Sequence, residues 1–283
     1  MKRNAVARII VYSLILVILV SVLVCGIAAG TFAFRVDYDS ETYTIGSGEV
    51  PAREIKDIEI EWASGDITIQ VADVDTISFY ESGDQSAPPM VYRQEGDTLT
   101  IQYQAPQVFI GFSISSSKDL IITVPQDWYC HNLSIDAASA DVFINRLNAN
   151  EAELNTASGE SHMTDCNFVS LELDSASGEV YYSGKLTTLD CNTASGNIIA
   201  TLLNVPSSIN FDGASADLEL TLPADAGFSV EMDTLSGSFH SDFATTQHDG
   251  RYICGDGACQ IDVSGMSGSI TIHKSEVQIP NTR

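Results

Sequence analysis

Apolar and polar residues alternate with a period of two along most of this chain, and the alternation keeps register with a short motif. The motif is a small residue, then Ser, then Gly or Ala, then an acid or polar residue. It occurs as Ala63-Ser64-Gly65-Asp66, Ala138-Ser139-Ala140-Asp141, Ala157-Ser158-Gly159-Glu160 and Ala176-Ser177-Gly178-Glu179. It returns as Ala194-Ser195-Gly196-Asn197, Ala214-Ser215-Ala216-Asp217, Leu235-Ser236-Gly237-Ser238 and Met266-Ser267-Gly268-Ser269. From Ser139 to Ser236 the serines are 19, 19, 18, 20 and 21 residues apart; a step of 31 then reaches Ser267, and 75 separate Ser64 from Ser139.

Six residues before the serine stand Ile58, Leu133, Ala152, Leu171, Leu189, Ile209, Val230 and Ile261, and four before it Ile60, Ile135, Leu154, Leu173, Cys191, Phe211, Met232 and Val263. The positions between are polar, which is the signature of a strand with one buried face. Apolar residues recur three and five places after the serine, as in Ile67/Ile69 and Val142/Ile144, and predict a second strand. Each unit therefore reads as strand, tight corner, strand and looser return. One unit cannot bury its apolar face alone, but stacking at about 4.8 Å turns equivalent residues into internal ladders. The predicted fold is all-β, a β-solenoid or flattened β-roll, with Leu154, Leu173, Cys191 and Phe211 in one internal column. Ala140 and Ala216 replace the corner Gly, so smallness at the bend is the better-supported demand than positive φ.

Residues 73–130 interrupt the pattern and read as a non-repeat β insertion. Its predicted strands are Ile77–Tyr80, Met90–Arg93, Thr98–Tyr103 and Asp119–Val124, with a hairpin turn at Gln94-Glu95-Gly96-Asp97 and a mobile loop over Gln104–Lys118. Residues 35–57 read as a stalk, 58–274 as the repeat domain and 275–283 as a tail.

Ile9 to Phe34 carry no charge, and Lys2, Arg3 and Arg8 precede them. The run is long enough to cross a bilayer core of about 30 Å. The flanking bases place residues 1–8 in the cytoplasm and the bulk of the chain outside. Its length favours an uncleaved anchor at 9–34 over a cleaved signal peptide, whose apolar core runs only about 7–15 residues. Beyond it, acids dominate, since the whole chain has 13 Lys and Arg against 38 Asp and Glu, a formal −25. Such a surface repels nucleic acid and anionic headgroups and attracts cations or a basic partner.

The opening Ile58-Glu59-Ile60-Glu61-Trp62-Ala63-Ser64-Gly65-Asp66-Ile67-Thr68-Ile69 is followed by Gly96–Ile101, Ile122-Thr123-Val124-Pro125 and the closing Ile261-Asp262-Val263…Ser267-Gly268-Ser269-Ile270-Thr271-Ile272. In order and spacing, over residues 55–274, these resemble the bacterial family of provisionally named adhesins, membrane-tethered β-strand-repeat domains of unknown function. The resemblance implies a surface-exposed β-solenoid and brings no catalytic residues and no ligand.

Stacking would place Glu153, Glu172 and Asp190 in one outward column and Asp136, Asp174, Asp212 and Asp233 in the next. Like charges at that spacing repel by about 1 kcal/mol in water. Such oxygen-rich columns are candidates for Ca²⁺, against the alternative of a solvated face that discourages aggregation. Cys254 and Cys259 bracket Gly-Asp-Gly-Ala and form a candidate disulfide, against free thiols. With His240 and His248 they also make a poor zinc set, because His-x₇-His does not fit the usual spacing. The serine motif recurs eight times, whereas a catalytic serine is singular. A lyase for acidic sugars would want bases in its groove, and from Asp119 onward there are only Arg146, Lys185, Arg251, Lys274 and Arg283.

The expected protein is a non-catalytic, membrane-anchored surface module without a cofactor. It would bind a wall polymer, a host ligand or a partner protein, with outward Phe143 and Tyr181 as the few aromatics for sugar stacking. The alternatives are a sensory or accessory ectodomain working through a membrane partner and, less favoured, a carbohydrate-active β-helix enzyme.

Overall fold

The computed structural model describes residues 42–84, 87–104 and 117–276. The predicted anchor at 9–34, the tail before it and residues 35–41, 105–116 and 277–283 lie outside the described residues. No helix among the described residues is long and apolar enough to cross a membrane.

The predicted strand–corner–strand units form the rungs of a parallel solenoid. In space their order is 98–102 with 118–125, 57–72, 130–145, 148–164, 167–184, 185–202, 208–222, 259–274 and 228–241. The strand halves before each corner make one sheet face, and the halves after it make the other. Inward residues of both faces meet in a single core running from Val50 to Ile272. Leu154, Leu173, Cys191 and Phe211 pair rung to rung and are at most 4% exposed, so the predicted column exists.

Two parts of the chain depart from the sequence expectation. Thr98–Gln102 and Lys118–Pro125, assigned above to a non-repeat insertion, pair in parallel with the two halves of Asp57–Ala72 and so complete a rung of their own. The predicted stalk is packed rather than free from Thr42 onward. Gly48–Pro51 pairs antiparallel with Thr76–Gly83, Thr44–Ile45 with Val91–Glu95, and Val50, Ala52 and Ile55 are buried.

The rungs are also not stacked in chain order. The unit around Ser267 sits between those of Ser215 and Ser236, with Ser215 paired to Ser267 and Ser267 to Ser236. The first unit is likewise second in space. Antiparallel strands then close both ends, Val91–Glu95 and Thr76–Gly83 at one and Arg251–Cys254 with Thr246–His248 at the other. They cover parallel edges that would otherwise template pairing with another chain.

Ending the chain before Cys259 should therefore remove an internal rung, not a terminal one. Amides of Phe228–Ser236 should lose hydrogen-exchange protection together with the deleted residues, because their parallel partner is gone. Retained protection there would contradict the exchanged order.

Both demands act at the corner. Gly178 has φ +140°, and a Cβ on it would lie 2.0 Å from the carbonyl oxygen of Gly159 in the rung below. Ala140 and Ala216 avoid positive φ and turn their methyl groups into the core, 1% and 3% exposed. The acid that ends the motif has a structural task. Asp141 Oδ1 accepts from the Glu160 amide at 2.8 Å, Asn197 Oδ1 from Asp217 at 3.1 Å, and Asp217 Oδ1 from Ser269 at 2.7 Å. In these three rungs the side chain thus pairs a backbone donor that the corner takes out of the ladder.

Candidate interaction surfaces

The outward positions of the first face are the predicted acid columns, and all seven candidate acids are exposed. Glu153, Glu172 and Asp190 do occupy consecutive rungs. The neighbouring column alternates acid and amide, because Asn155 separates Asp136 from Asp174 and Asn192 separates Asp174 from Asp212. Asn155 Nδ2 donates to both Asp136 and Glu153 at 2.9 Å, Asn192 to Asp174 at 2.8 Å and Asn210 to Asp190 at 3.3 Å. Asp233 falls in the same column, but the exchanged rung puts Ser264 between it and Asp212.

The amides offset much of the charge that stacking concentrates. Where they are missing, repulsion remains. Burial pushes the Glu172 carboxyl up, and Asp174, Glu153 and Asp190 add to it. Asp212 is raised by burial and by Asp190. An open groove of about 590 Å³ crosses this face, lined by Asp57, Glu59, Glu151, Glu153 and Glu172. No group of three or more His, Cys, Asp or Glu among the described residues gathers closely enough to hold a metal ion. Strand pairing holds these carboxylates side by side and spreads them along the axis.

These shifts set a pH dependence. A carboxyl raised in the fold contributes stability below its unfolded value, and that contribution is lost as pH rises through the raised value. Glu172, Asp212 and Asp66 behave this way. Asp242, lowered by its hydrogen bond from His273, and Asp97, lowered by Lys56, run oppositely and lose their contribution as pH falls through the lowered value. The melting temperature should rise from pH 7 to a maximum near about pH 4 and fall below about pH 3. A monotonic decline on acidification would refute this balance.

The second face is different. Its central outward column runs, strand by strand, through Tyr80, Ile121, Thr68, Phe143, His162, Tyr181 and Ile199 before turning polar at Glu219. Phe143 and His162 stack at 5.3 Å, and His162 and Tyr181 at 4.7 Å, both with ring planes 7° apart. All seven positions are partly or fully exposed, Tyr80 at 46%. Phe143 and Tyr181 face outward as expected. One ring face of each, however, lies against His162, which closes that face to a stacking sugar. His162 was missed above, although it stands four residues after its serine, as Phe143 and Tyr181 do.

Beside this stripe runs the column Asp119, Asp66, Asp141, Glu160 and Glu179, on consecutive rungs. His162 Nε2 lies 3.2 Å from Glu160, and the Tyr181 hydroxyl donates to Glu179. Asp66 is raised by burial and by Asp119 and Asp141.

The cysteine candidates do not come together. Cys254 and Cys259 pair with Phe228 from opposite sides, two strand spacings or about 9.6 Å apart. A disulfide needs Cα atoms within about 7 Å, so the proposed bridge does not form in this arrangement. Both are buried free thiols, and burial pushes Cys259 up to about 12. His248 is exposed on the edge strand Thr246–His248, which leaves the zinc set dispersed.

At the other end, Lys118 is 2% exposed. Its Nζ lies 2.8 Å from Glu81 and donates to the Pro88 carbonyl at 2.8 Å. The Tyr103 ring centroid is 4.3 Å away and that of Trp62 5.8 Å. Trp62 Nε1 donates to the Lys118 carbonyl at 2.7 Å, tying the first unit to the rung beneath it.

The profile of the Toastrack DUF4097 family matches residues 55–199 and again 171–273. Similar solved structures include a provisionally named cell adhesion protein from Clostridium sporogenes, 11% identical with a TM-score of 0.36, covering 81% of this chain and 100% of that one. A provisionally named adhesin from Bacteroides fragilis is 10% identical with a TM-score of 0.43, covering 83% and 98%. A provisionally named lipid-binding protein from Parabacteroides distasonis is 18% identical with a TM-score of 0.49, covering 82% and 97%. No curated protein matches the sequence.

Proposed function

The chain belongs to the Toastrack DUF4097 family, and on that premise we propose that it is a non-catalytic interaction module held outside the cell by its N-terminal segment. The observation that carries this reading is the pair of long, solvent-facing sheet faces, continuous across the stacked rungs. Repeated surfaces of this kind suit multivalent contact. The carboxylates of the first face are hydrogen-bonded along the axis by Asn155, Asn192 and Asn210, which supports reading them as part of an extended surface.

Membrane attachment is supported by the uncharged run from Ile9 to Phe34 and its preceding bases. Thr44–Ile45 lies at one end of the stack and is the strand nearest that run in sequence among the described residues, which supports rungs reaching outward; thirteen strands of the first face span about 58 Å.

The full chain should stay with membranes after alkaline carbonate extraction, and protease added outside intact cells should release the repeat domain. Extraction by carbonate, or complete protection from protease, would overturn the topology. Incubation of the full chain with wall fragments and partner-cell surfaces should give saturable retention; none across such a panel would count against the interaction module.

A further inference from the structure

We propose that the stripe on the second face, from Tyr80 through Phe143, His162 and Tyr181 to Ile199, is the docking surface for a cationic amphipathic helix of a partner protein. This rests on the reading of the repeat domain as an interaction module but not on its location. Four observations converge on that occupant.

The stripe joins Tyr80, Ile121, Phe143, Tyr181 and Ile199, all partly or fully exposed, into one run of aromatic and aliphatic groups that includes Thr68 and His162, and such patches mark contact sites. It lies alongside the carboxylates Asp66, Asp141, Glu160 and Glu179, and Asp66 is raised by burial and then by its like-charged neighbours Asp119 and Asp141. A line of Lys or Arg beside an apolar edge relieves that repulsion, whereas a second copy of this acidic chain would add to it.

His162 covers one ring face of Phe143 and one of Tyr181, 7° from parallel, so the surface offers ring edges and aliphatic groups and little open face for a sugar. Finally, the backbone of these strands is committed to a neighbouring strand on each side, antiparallel around Tyr80 and parallel from Thr68 to Ile199, which leaves little to pair with an extended segment. An occupant lying along the axis must satisfy its own backbone, which a helix does. The stripe spans six strand intervals, about 29 Å, the length of a helix of about 19 residues.

The test uses the full chain in neutral-lipid nanodiscs and a synthetic 19-residue Lys/Leu peptide with a photoreactive group on its apolar face. A scrambled peptide of identical composition serves as control. Crosslinks should map to Phe143, Tyr181 and Ile199, and affinity should exceed that of the scrambled peptide by about tenfold or more. Tyr181→Thr with Ile199→Thr, which keeps the charge and suits a strand, should weaken binding by about tenfold while the melting curve confirms folding. Glu160→Gln with Glu179→Gln should flatten its salt dependence.

Equal binding of the scrambled peptide, crosslinks spread over the acidic face, or undiminished binding by the folded Thr variant would overturn the proposal. So would displacement of the peptide by wall glycan, which would make the stripe a sugar site. None of these results would touch the cell-binding and fractionation outcomes above, so the two readings fail separately.

Discussion

Replacing Gly178 with valine should lower the stability of the repeat domain by about 4 kcal/mol or more, and its melting temperature by roughly 8–16 °C. Two costs coincide at this position. The backbone stands at φ +140°, and a Cβ there would sit 2.0 Å from a carbonyl oxygen of the neighbouring rung. That oxygen belongs to Gly159, whose own Cβ position is blocked by the carbonyl of Ala140 at 2.2 Å, so one rung cannot yield without displacing the next. Gly96 provides the control. It also has positive φ, at +64°, but nothing lies within 4 Å of its Cβ position. Gly96→Ala should cost only about 1–2 kcal/mol, the usual penalty for a left-handed conformation. Thermal or urea unfolding of the two variants separates close approach from conformation, and equal losses would show that conformation alone governs the corner.

Lys118→Met should destabilise the protein by about 3–5 kcal/mol, because it leaves Glu81 with a buried, uncompensated charge. Glu81 also accepts the Met90 amide at 2.9 Å, a bond that glutamine can keep. The double variant Lys118→Met with Glu81→Gln removes both charges and preserves that acceptor. It should therefore recover to within about 2 kcal/mol of the parent, with a coupling energy that a double-mutant cycle reads directly. Additive losses would mean that the ammonium acts mainly through Tyr103, Trp62 and the Pro88 carbonyl.

Neither of these sites was equally visible in one dimension. The Gly178 corner belongs to a motif that recurs eight times, and its demand for a small residue follows from the two alanine exceptions. The Lys118 site joins Thr76–Gly83 to the start of Lys118–Pro125 beneath Trp62, and nothing in the local pattern announces that these segments share a rung boundary. The acid columns were legible. The placement of Asp233 directly after Asp212 was not, because that step assumed that chain order is stacking order. The aromatic stripe lay within reach of the same alignment, yet only the coordinates orient its rings so that they cover each other.

The alternation of side chains by itself determined which residues face the core, since a strand has only two sides and burying the apolar one is a local choice. The recurring serine determined the length of a rung and the place of its corner. What only the tertiary structure decided is the order of the rungs. Successive units present nearly the same ladder of donors, acceptors and apolar residues, so each can pair with almost any other at similar energy. The antiparallel closing strands at the two ends break that degeneracy, by engaging 98–102 and 118–125 at one end and 228–231 at the other and leaving the first and last units to fill the places inside.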